Sequence, residues 1–186
     1  LGILLHPANR DIPFPLVLTG PKSAEPYFKQ LHSFIAKTLG FEAQQKYKII
    51  IADHESAACE MALGMQQVFD YRKKNNDAYH FNWQLTIADD YQRPFVPNHQ
   101  NMAALDLHKD IPVHLLAANL RRAFSGIVAG NVKEQGIGMI EQLGPFEIHG
   151  DREITDPLDE LLAAFVEQGR MKLPGSDYVP CYRVVK

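Results

Sequence analysis

Two stretches decide the fold: Phe14-Pro15-Leu16-Val17-Leu18-Thr19-Gly20-Pro21-Lys22-Ser23 and Lys48-Ile49-Ile50-Ile51-Ala52-Asp53. Each is a short apolar run closed by residues that favour turns or caps, the pattern of a buried strand. Strands are expected over Phe14 to Thr19 and Lys48 to Ala52. Between them Tyr27, Leu31, Phe34, Ile35 and Leu39 recur at helical spacing. Ser23 is expected to cap that helix and Gly40 to end it. Asp53 then caps a second helix, with Met61, Met65, Val68 and Phe69 as its buried stripe. Strand, helix, strand and helix with short connections make a βαβ unit, so the strands should run parallel with a right-handed crossover.

Beyond Lys73-Lys74-Asn75-Asn76-Asp77 the texture changes, and a domain boundary is expected there, giving residues 1–74 and 75–186. Trp83 to Ile87 has the alternation of a strand, with Trp83, Leu85 and Ile87 on one face. Ala88 to Asp110, holding Pro94, Pro97, His99 and Asn101, is expected to be irregular. Loops of that length usually cover a site or pack across another surface. Asp110 and Pro112 open a long helix with Leu116, Leu120, Phe124, Ile127 and Val128 along one face. Gly136, Gly138 and Gly144 should break or end the helical pattern. Phe146 to Ile148 reads as a strand. Asp156 should cap a last helix, with Pro157 in the favoured first position. Its apolar stripe is Leu158, Leu161, Leu162, Phe165 and Val166, and Gly169 closes it. The fold class is α/β: the end of a Rossmann-like parallel sheet followed by a mainly helical α+β portion.

The 186 residues are 46% hydrophobic and 22% charged, with net charge −3. That composition supports a globular core. The lack of a basic surplus argues against a nucleic-acid polymer as partner. No apolar run approaches the roughly 18 residues of a membrane helix. Cys59 and Cys181 stand far apart in no ligand-like spacing and are expected to be reduced thiols, as in the cytoplasm. The eight histidines form no ligand pair, so a dedicated metal site is not expected. The chain opens on Leu1-Gly2-Ile3-Leu4-Leu5, which reads as the tail of an element begun upstream.

Two segments carry candidate chemistry. Thr19, Gly20 and Lys22 lie where the first strand ends, and ligands of open parallel sheets bind beyond the carboxyl ends of strands. An ordinary βα turn with a solvated lysine is the plainer reading of those residues. In the second segment, Arg121, Arg122 and Lys133 offer cations to a phosphate. Gly126 and Gly130, one turn apart, would permit close approach of another helix, including one across a subunit contact, and that packing role is the better supported.

The chain also resembles known proteins. Leu1-Gly2, Pro15 to Gly20 and Tyr27-Phe28-Lys29-Gln30-Leu31 resemble the segment following the glycine-rich catalytic motif of the LOG phosphoribohydrolases. Phe81-Asn82-Trp83, Pro94-Phe95-Val96-Pro97, Asn101-Met102-Ala103, Arg121 to Glu134 and Met171 to Ser176 are similar to the C-terminal domain of the bacterial nucleotide 5'-monophosphate nucleosidases. The resemblance implies hydrolysis of nucleoside monophosphates to free base and ribose 5-phosphate, in a cytoplasmic homo-oligomer, tetrameric when full-length. It implies a response to guanosine tetra- and pentaphosphate alarmones and no cofactor. The family's catalytic glutamate has no counterpart in these residues, so no catalytic residue is carried over. The alternative is a regulatory and oligomerisation module that binds nucleotide effectors without catalysis.

Overall fold

The computed structural model describes residues 1–77, 85–175 and 177–185. Two apolar runs of four residues form the first sheet: β1 (Val17–Gly20) and β2 (Lys48–Ile51). They pair in parallel, with Val17 opposite Lys48 and Gly20 opposite Ile51. Two helices connect them, α1 (Glu25–Leu39) and the single turn α2 (Phe41–Gln44). α3 (His54–Lys74) follows β2 and starts where the Asp53 side chain accepts the Ser56 N–H.

Ser23 does not cap α1. It sits in a 3₁₀ turn, Lys22–Ala24, and α1 begins at Glu25 with Pro26 in its first turn, where a missing N–H costs nothing. Gly40 ends α1 in the left-handed region, φ +79°, and donates to the Ile35 carbonyl. On α3 the buried positions are Ala57, Gly64, Val68 and Arg72. Of the expected stripe, Val68 is buried while Met61 turns outward. The helix is rotated because Gly64 lets Pro15 approach to where a Cβ would stand, 2.5 Å from the proline Cβ.

The residues from 85 onward build a second parallel sheet. Leu85 to Ala88 form no strand, and Trp83 lies outside the described residues. Within the stretch expected to be irregular, three short elements form: α4 (Asp89–Gln92), α5 (His99–Ala103) and β3 (Asp106–Leu107). Asn98 caps α5 by accepting the Asn101 N–H at 2.7 Å. Burial of Met102, Leu105 and Leu107 then fixes the segment. α6 (Val113–Val132) and α7 (Glu134–Leu143) lead to β4 (Phe146–Gly150), and α8 (Arg152–Glu167) leads to β5 (Tyr182–Val185). The order is β3-β4-β5, all parallel.

α8 starts earlier than Asp156. The Asp151 carbonyl accepts the N–H groups of Ile154 and Thr155, and Ile154 is fully buried in the second core. That burial outweighs Pro157, which falls inside the helix. α7 likewise runs straight through Gly136 and Gly138, and only Gly144, at φ +82°, ends it.

Two apolar clusters fill the molecule. One holds Leu107, Leu116, Ile127, Phe146, Ile148, Leu158 and Leu162 between the second sheet and helices α6 and α8. The other gathers Leu5, Ile35, Ala43, Tyr47 and Ala117 beside the first sheet. Phe34 and Leu39 of α1 pack against both. Cys59 is exposed, Cys181 is buried, and neither forms a disulfide. Among the described residues no helix is long and apolar enough to cross a membrane.

The two glycines inside α7 should respond oppositely to alanine. A Cβ at Gly136 would stand 2.2 Å from the Ala129 carbonyl oxygen, a backbone atom that cannot give way. Gly136→Ala should therefore cost about 1–3 kcal/mol of stability. Gly138 faces open space, so Gly138→Ala should gain about 0.5–1 kcal/mol of helix propensity. Urea midpoints of the two variants falling on the same side of wild type would refute this account.

A second expectation concerns pH. Tyr178 donates to Asp159 at 2.7 Å, yet burial outweighs that donation and holds the Asp159 carboxyl above its usual range. The folded state thus keeps this proton to higher pH than the unfolded chain. Its contribution to stability rises as pH falls from the folded value toward the unfolded one, near 4. Asp159→Asn should remove that part of the pH dependence while keeping an acceptor for Tyr178. An unchanged slope in denaturation midpoints across the acid range would contradict it.

Candidate functional site

The carboxyl edge of the first sheet brings together Thr19, Gly20, Lys22 and Asp53. The Ala52 N–H bonds the Gly20 carbonyl at 2.9 Å, and Ala52 takes a left-handed backbone, φ 56°. Gly20 needs its missing side chain, since a Cβ would lie 3.1 Å from the Phe28 ring and 3.3 Å from the Ala24 Cβ. Lys22 reaches outward and pairs with Glu25 at 2.6 Å, and Lys29 pairs with the same carboxylate at 3.0 Å. The hydrogen bond from Lys22, followed by that from Lys29, holds the Glu25 carboxyl down at about 2. Asp53 is likewise occupied, accepting the Ser56 N–H at 2.9 Å and its hydroxyl at 2.6 Å. Both carboxylates at this edge are therefore ionised and committed to local structure at neutral pH.

The three cations expected on the later segment divide. Arg121 and Arg122 are neighbours on α6, whereas Lys133 stands at the helix's far end, roughly 18 Å away at about 1.5 Å per residue. Arg122 pairs with Asp90 at 2.5 Å and donates to Asn119 at 3.2 Å. The Arg121 guanidinium lies over the Tyr91 ring, 5.1 Å from its centroid, a cation–π contact. Tyr91 and Asp90 belong to α4, which Asn9 holds in place. That side chain is 1% exposed. It donates to the carbonyls of Ile3 and Thr86, both at 2.8 Å, and accepts the Thr86 N–H at 2.7 Å.

Gly126 and Gly130, expected at a subunit contact, are buried inside the chain. Met102 fills the space at Gly126, its Sδ 2.2 Å from where a Cβ would be, and Cys181 and Phe146 fill that at Gly130. Within the chain, the close approach the two glycines allow is made by α5 and by the residues around β4 and β5.

A large concavity takes in Arg121 of the expected set, and its other walls were not expected. It is a groove of about 680 Å³ between α1, α6 and α8, with Leu1 to Ile3 and Tyr91 completing its wall. Tyr27, Phe34, Phe124 and Phe165 supply aromatic surface. The Tyr27 and Phe165 rings lie 5.3 Å apart, and those of Phe124 and Phe165 5.9 Å apart. Arg170 stacks over Tyr27 at 4.2 Å. Neither Arg121 nor Arg170 has a carboxylate within ion-pair distance among the described residues. Sequence spacing found the stripes of α1, α6 and α8 singly, and Tyr91 carried no periodic signal.

The parallel sheets, their helical crossovers and the open carboxyl edge define an α/β protein of the kind that handles ligands at strand ends. Residues 65–185 match the family model described as "Pyrimidine/purine nucleotide monophosphate nucleosidase, C-terminal", and the chain belongs to that family. It is 55% identical over 184 residues to proteins named pyrimidine/purine nucleotide 5'-monophosphate nucleosidase from Escherichia coli strains K12 and O157:H7. The alignments take in 99% of this chain and 40% of each relative, so the chain spans about two-fifths of their length.

Asn9→Ala should loosen α4. It removes two hydrogen bonds to the backbone of the exposed Thr86 and one to the Ile3 carbonyl and should cost about 1–3 kcal/mol. Limited proteolysis should then cut preferentially within residues 85–92. A cleavage pattern identical to wild type would show that Asn9 does not hold this segment.

Proposed function

We propose that the chain is the C-terminal portion of an enzyme that hydrolyses the N-glycosidic bond of purine and pyrimidine nucleoside monophosphates. AMP, UMP and CMP would yield free base and ribose 5-phosphate. The observation that carries this reading is the 55% identity to named nucleosidases across 99% of the chain. On this reading residues 1–74 complete a Rossmann-like domain and residues 75–186 form the nucleosidase-specific domain of a cytoplasmic homotetramer.

The geometry supports a division of labour. Cleavage of a glycosidic bond by water calls for a carboxylate free to move a proton or to stabilise positive charge on the sugar. At the sheet's carboxyl edge Glu25 is held between two lysines and Asp53 caps α3. As the resemblance to the LOG phosphoribohydrolases implies, the reacting carboxylate on this reading belongs to the glycine-rich motif of the full-length enzyme, while Thr19, Gly20 and Lys22 border the phosphate or sugar. Residues 1–186 alone are inactive.

A second reading is favoured by Arg121, which stacks on Tyr91 without a carboxylate partner. In that reading Arg121, Arg122 and Lys133 serve a regulatory module that binds guanosine tetra- or pentaphosphate. Calorimetry with guanosine tetraphosphate would show heat that Arg121→Ala abolishes, and no heat with the wild-type chain would remove the reading.

Enzyme assays test the leading proposal. A polypeptide of the relatives' full length, carrying this sequence as its C-terminal portion, should release ribose 5-phosphate from AMP and UMP. Residues 1–186 should give only the uncatalysed background. No release by the long form would refute the nucleosidase reading, and release by residues 1–186 would refute the division of labour.

A further inference from the structure

Among the described residues β2 is an open edge of the first sheet, since it pairs with β1 alone. The Lys48 and Ala52 N–H groups bond the carbonyls of Leu16 and Gly20, on the β1 side. Hydrogen-bonding direction alternates along a strand, so Ile49 and Ile51 turn their N–H and C=O groups to the free edge. Two donors and two acceptors thus stand in line, a set that another strand satisfies together. Beside them lies a groove of about 420 Å³ lined by Phe28, Tyr47, Ile49 and Ile51, with Lys29 and His32.

Three observations identify the incoming strand as β2 of a second copy. First, the edge carries opposite charges at its two ends. Lys46 and Lys48 stand at the amino end, Asp53 and Glu55 at the carboxyl end. An antiparallel copy brings these unlike charges together, whereas a parallel copy would bring like charges together. Second, antiparallel pairing of one strand with itself is isologous and closes on a dimer, while parallel addition would run on as a filament. Third, the helices fit. α3 lies over both strands. With strands about 4.8 Å apart, a continuous sheet β1-β2-β2-β1 sets the two α3 helices about 10 Å from one another, the distance at which helices pack. The Lys48–Glu60 ion pair fixes one flank of α3 on the β2 side. Leu63, one turn further along that flank, is 60% exposed.

We propose that two copies of this chain join edge to edge through antiparallel β2 strands. Ile50 lies opposite the partner's Ile50, and Ile49 opposite the partner's Ile51. The outward N–H and C=O groups of both isoleucines are then satisfied across a twofold axis, the sheet becomes four-stranded, and Leu63 is covered by the α3 of the second copy. The inference rests on the homo-oligomer part of the reading above, for which it names a contact, and not on base release.

The test combines sedimentation velocity with hydrogen exchange of the Ile49 and Ile51 amides, on this chain and on the full-length polypeptide that carries it. The expected result is an assembly in which both amides are protected about tenfold or more, with the protection lost on dilution to monomer. Ile51→Pro removes an N–H that β1 does not use, so it should split this contact while the circular dichroism of the chain stays unchanged. Lys46→Glu and Glu55→Lys should each weaken association about fivefold, and the double variant should restore it. Lys46 also donates to the Arg10 carbonyl, a bond the double variant still lacks. The two side chains stand at opposite ends of β2, so rescue reports a contact between copies. A monomeric wild-type chain and full-length form, with both amides exchanging freely, would overturn this inference and the homo-oligomer reading together. An assembly that survives Ile51→Pro and ignores the charge swap would overturn this inference alone, because another surface would then hold the copies. Amides protected in a monomer would also overturn it, in favour of a strand from the same polypeptide. Base release enters none of these readouts, so the nucleosidase reading stands or falls separately.

Discussion

Everything in this chain depends on α1 serving two cores at once. Its Ile35 is buried against Leu5, Ala43 and Tyr47 beside the first sheet, while Phe34 and Leu39 touch both that cluster and the larger one. A two-stranded sheet is marginal by itself. β1 and β2 persist because α1 carries their apolar face onto α6 and α8. Burial of one large apolar side chain contributes about 1.5–3 kcal/mol, so Phe34, Ile35 and Leu39 together exceed any surface ion pair in the molecule. The Lys37–Glu160 pair and the Gln168–Gln30 hydrogen bond between α1 and α8 are exposed. They set register more than stability.

The same constraint explains the groove. A helix committed to two clusters cannot also close the space between its Tyr27–Leu31 side and the Phe124–Phe165 surfaces of α6 and α8. Packing density near that of crystals is the rule inside proteins, and a concavity of about 680 Å³ departs from it. The departure coincides with an orphaned Tyr91 hydroxyl and two cations without carboxylates. Apolar, polar and charged signs of an unfinished surface thus converge on one place.

Much of the fold was legible in the sequence, for reasons that can be named. β1, β2 and the parallel βαβ unit follow from continuous apolar runs, because strands covered on both faces carry no alternation. Asp53 could be assigned from its own chemistry, as could the ends of α1 and α7 at Gly40 and Gly144. What escaped depends on tertiary context. β3 has two residues, and only its pairing with β4 makes it a strand. β5 is held by β4 alone in the sheet order, and α8 starts early because Ile154 is buried. Gly136 survives inside α7 because the end of α6 passes where its side chain would be. The glycines of α6 were expected at a helix contact, including one between subunits in the reading of spacing alone, but spacing could not say that Met102 and Cys181 are their neighbours within the chain. Of the candidate site, the strand-end residues and the two arginines were visible, while the groove was not. Three helices, Leu1 to Ile3 and Tyr91 of α4 build it, and no local window contains them together.

The electrostatics of the two regions point to different jobs. Around β1 and β2 every charged candidate is already satisfied: Lys22 by Glu25, Glu25 by two lysines, Asp53 by the start of α3. The Glu25 and Asp53 carboxyls, held below their usual range by their hydrogen-bond partners, have little freedom to exchange a proton during a reaction, for which a value near the working pH is best. They can border a ligand and fix its position. At the groove the balance is reversed: among the described residues Arg121 and Arg170 stack on aromatic rings with no carboxylate within ion-pair distance, and the Tyr91 hydroxyl has no hydrogen bond. A surface of that kind gains most from a partner that buries apolar area and brings carboxylates with it. The strand-end edge thus carries charges committed to local ion pairs and a helix cap, whereas the groove carries cations held by aromatic stacking alone among the described residues.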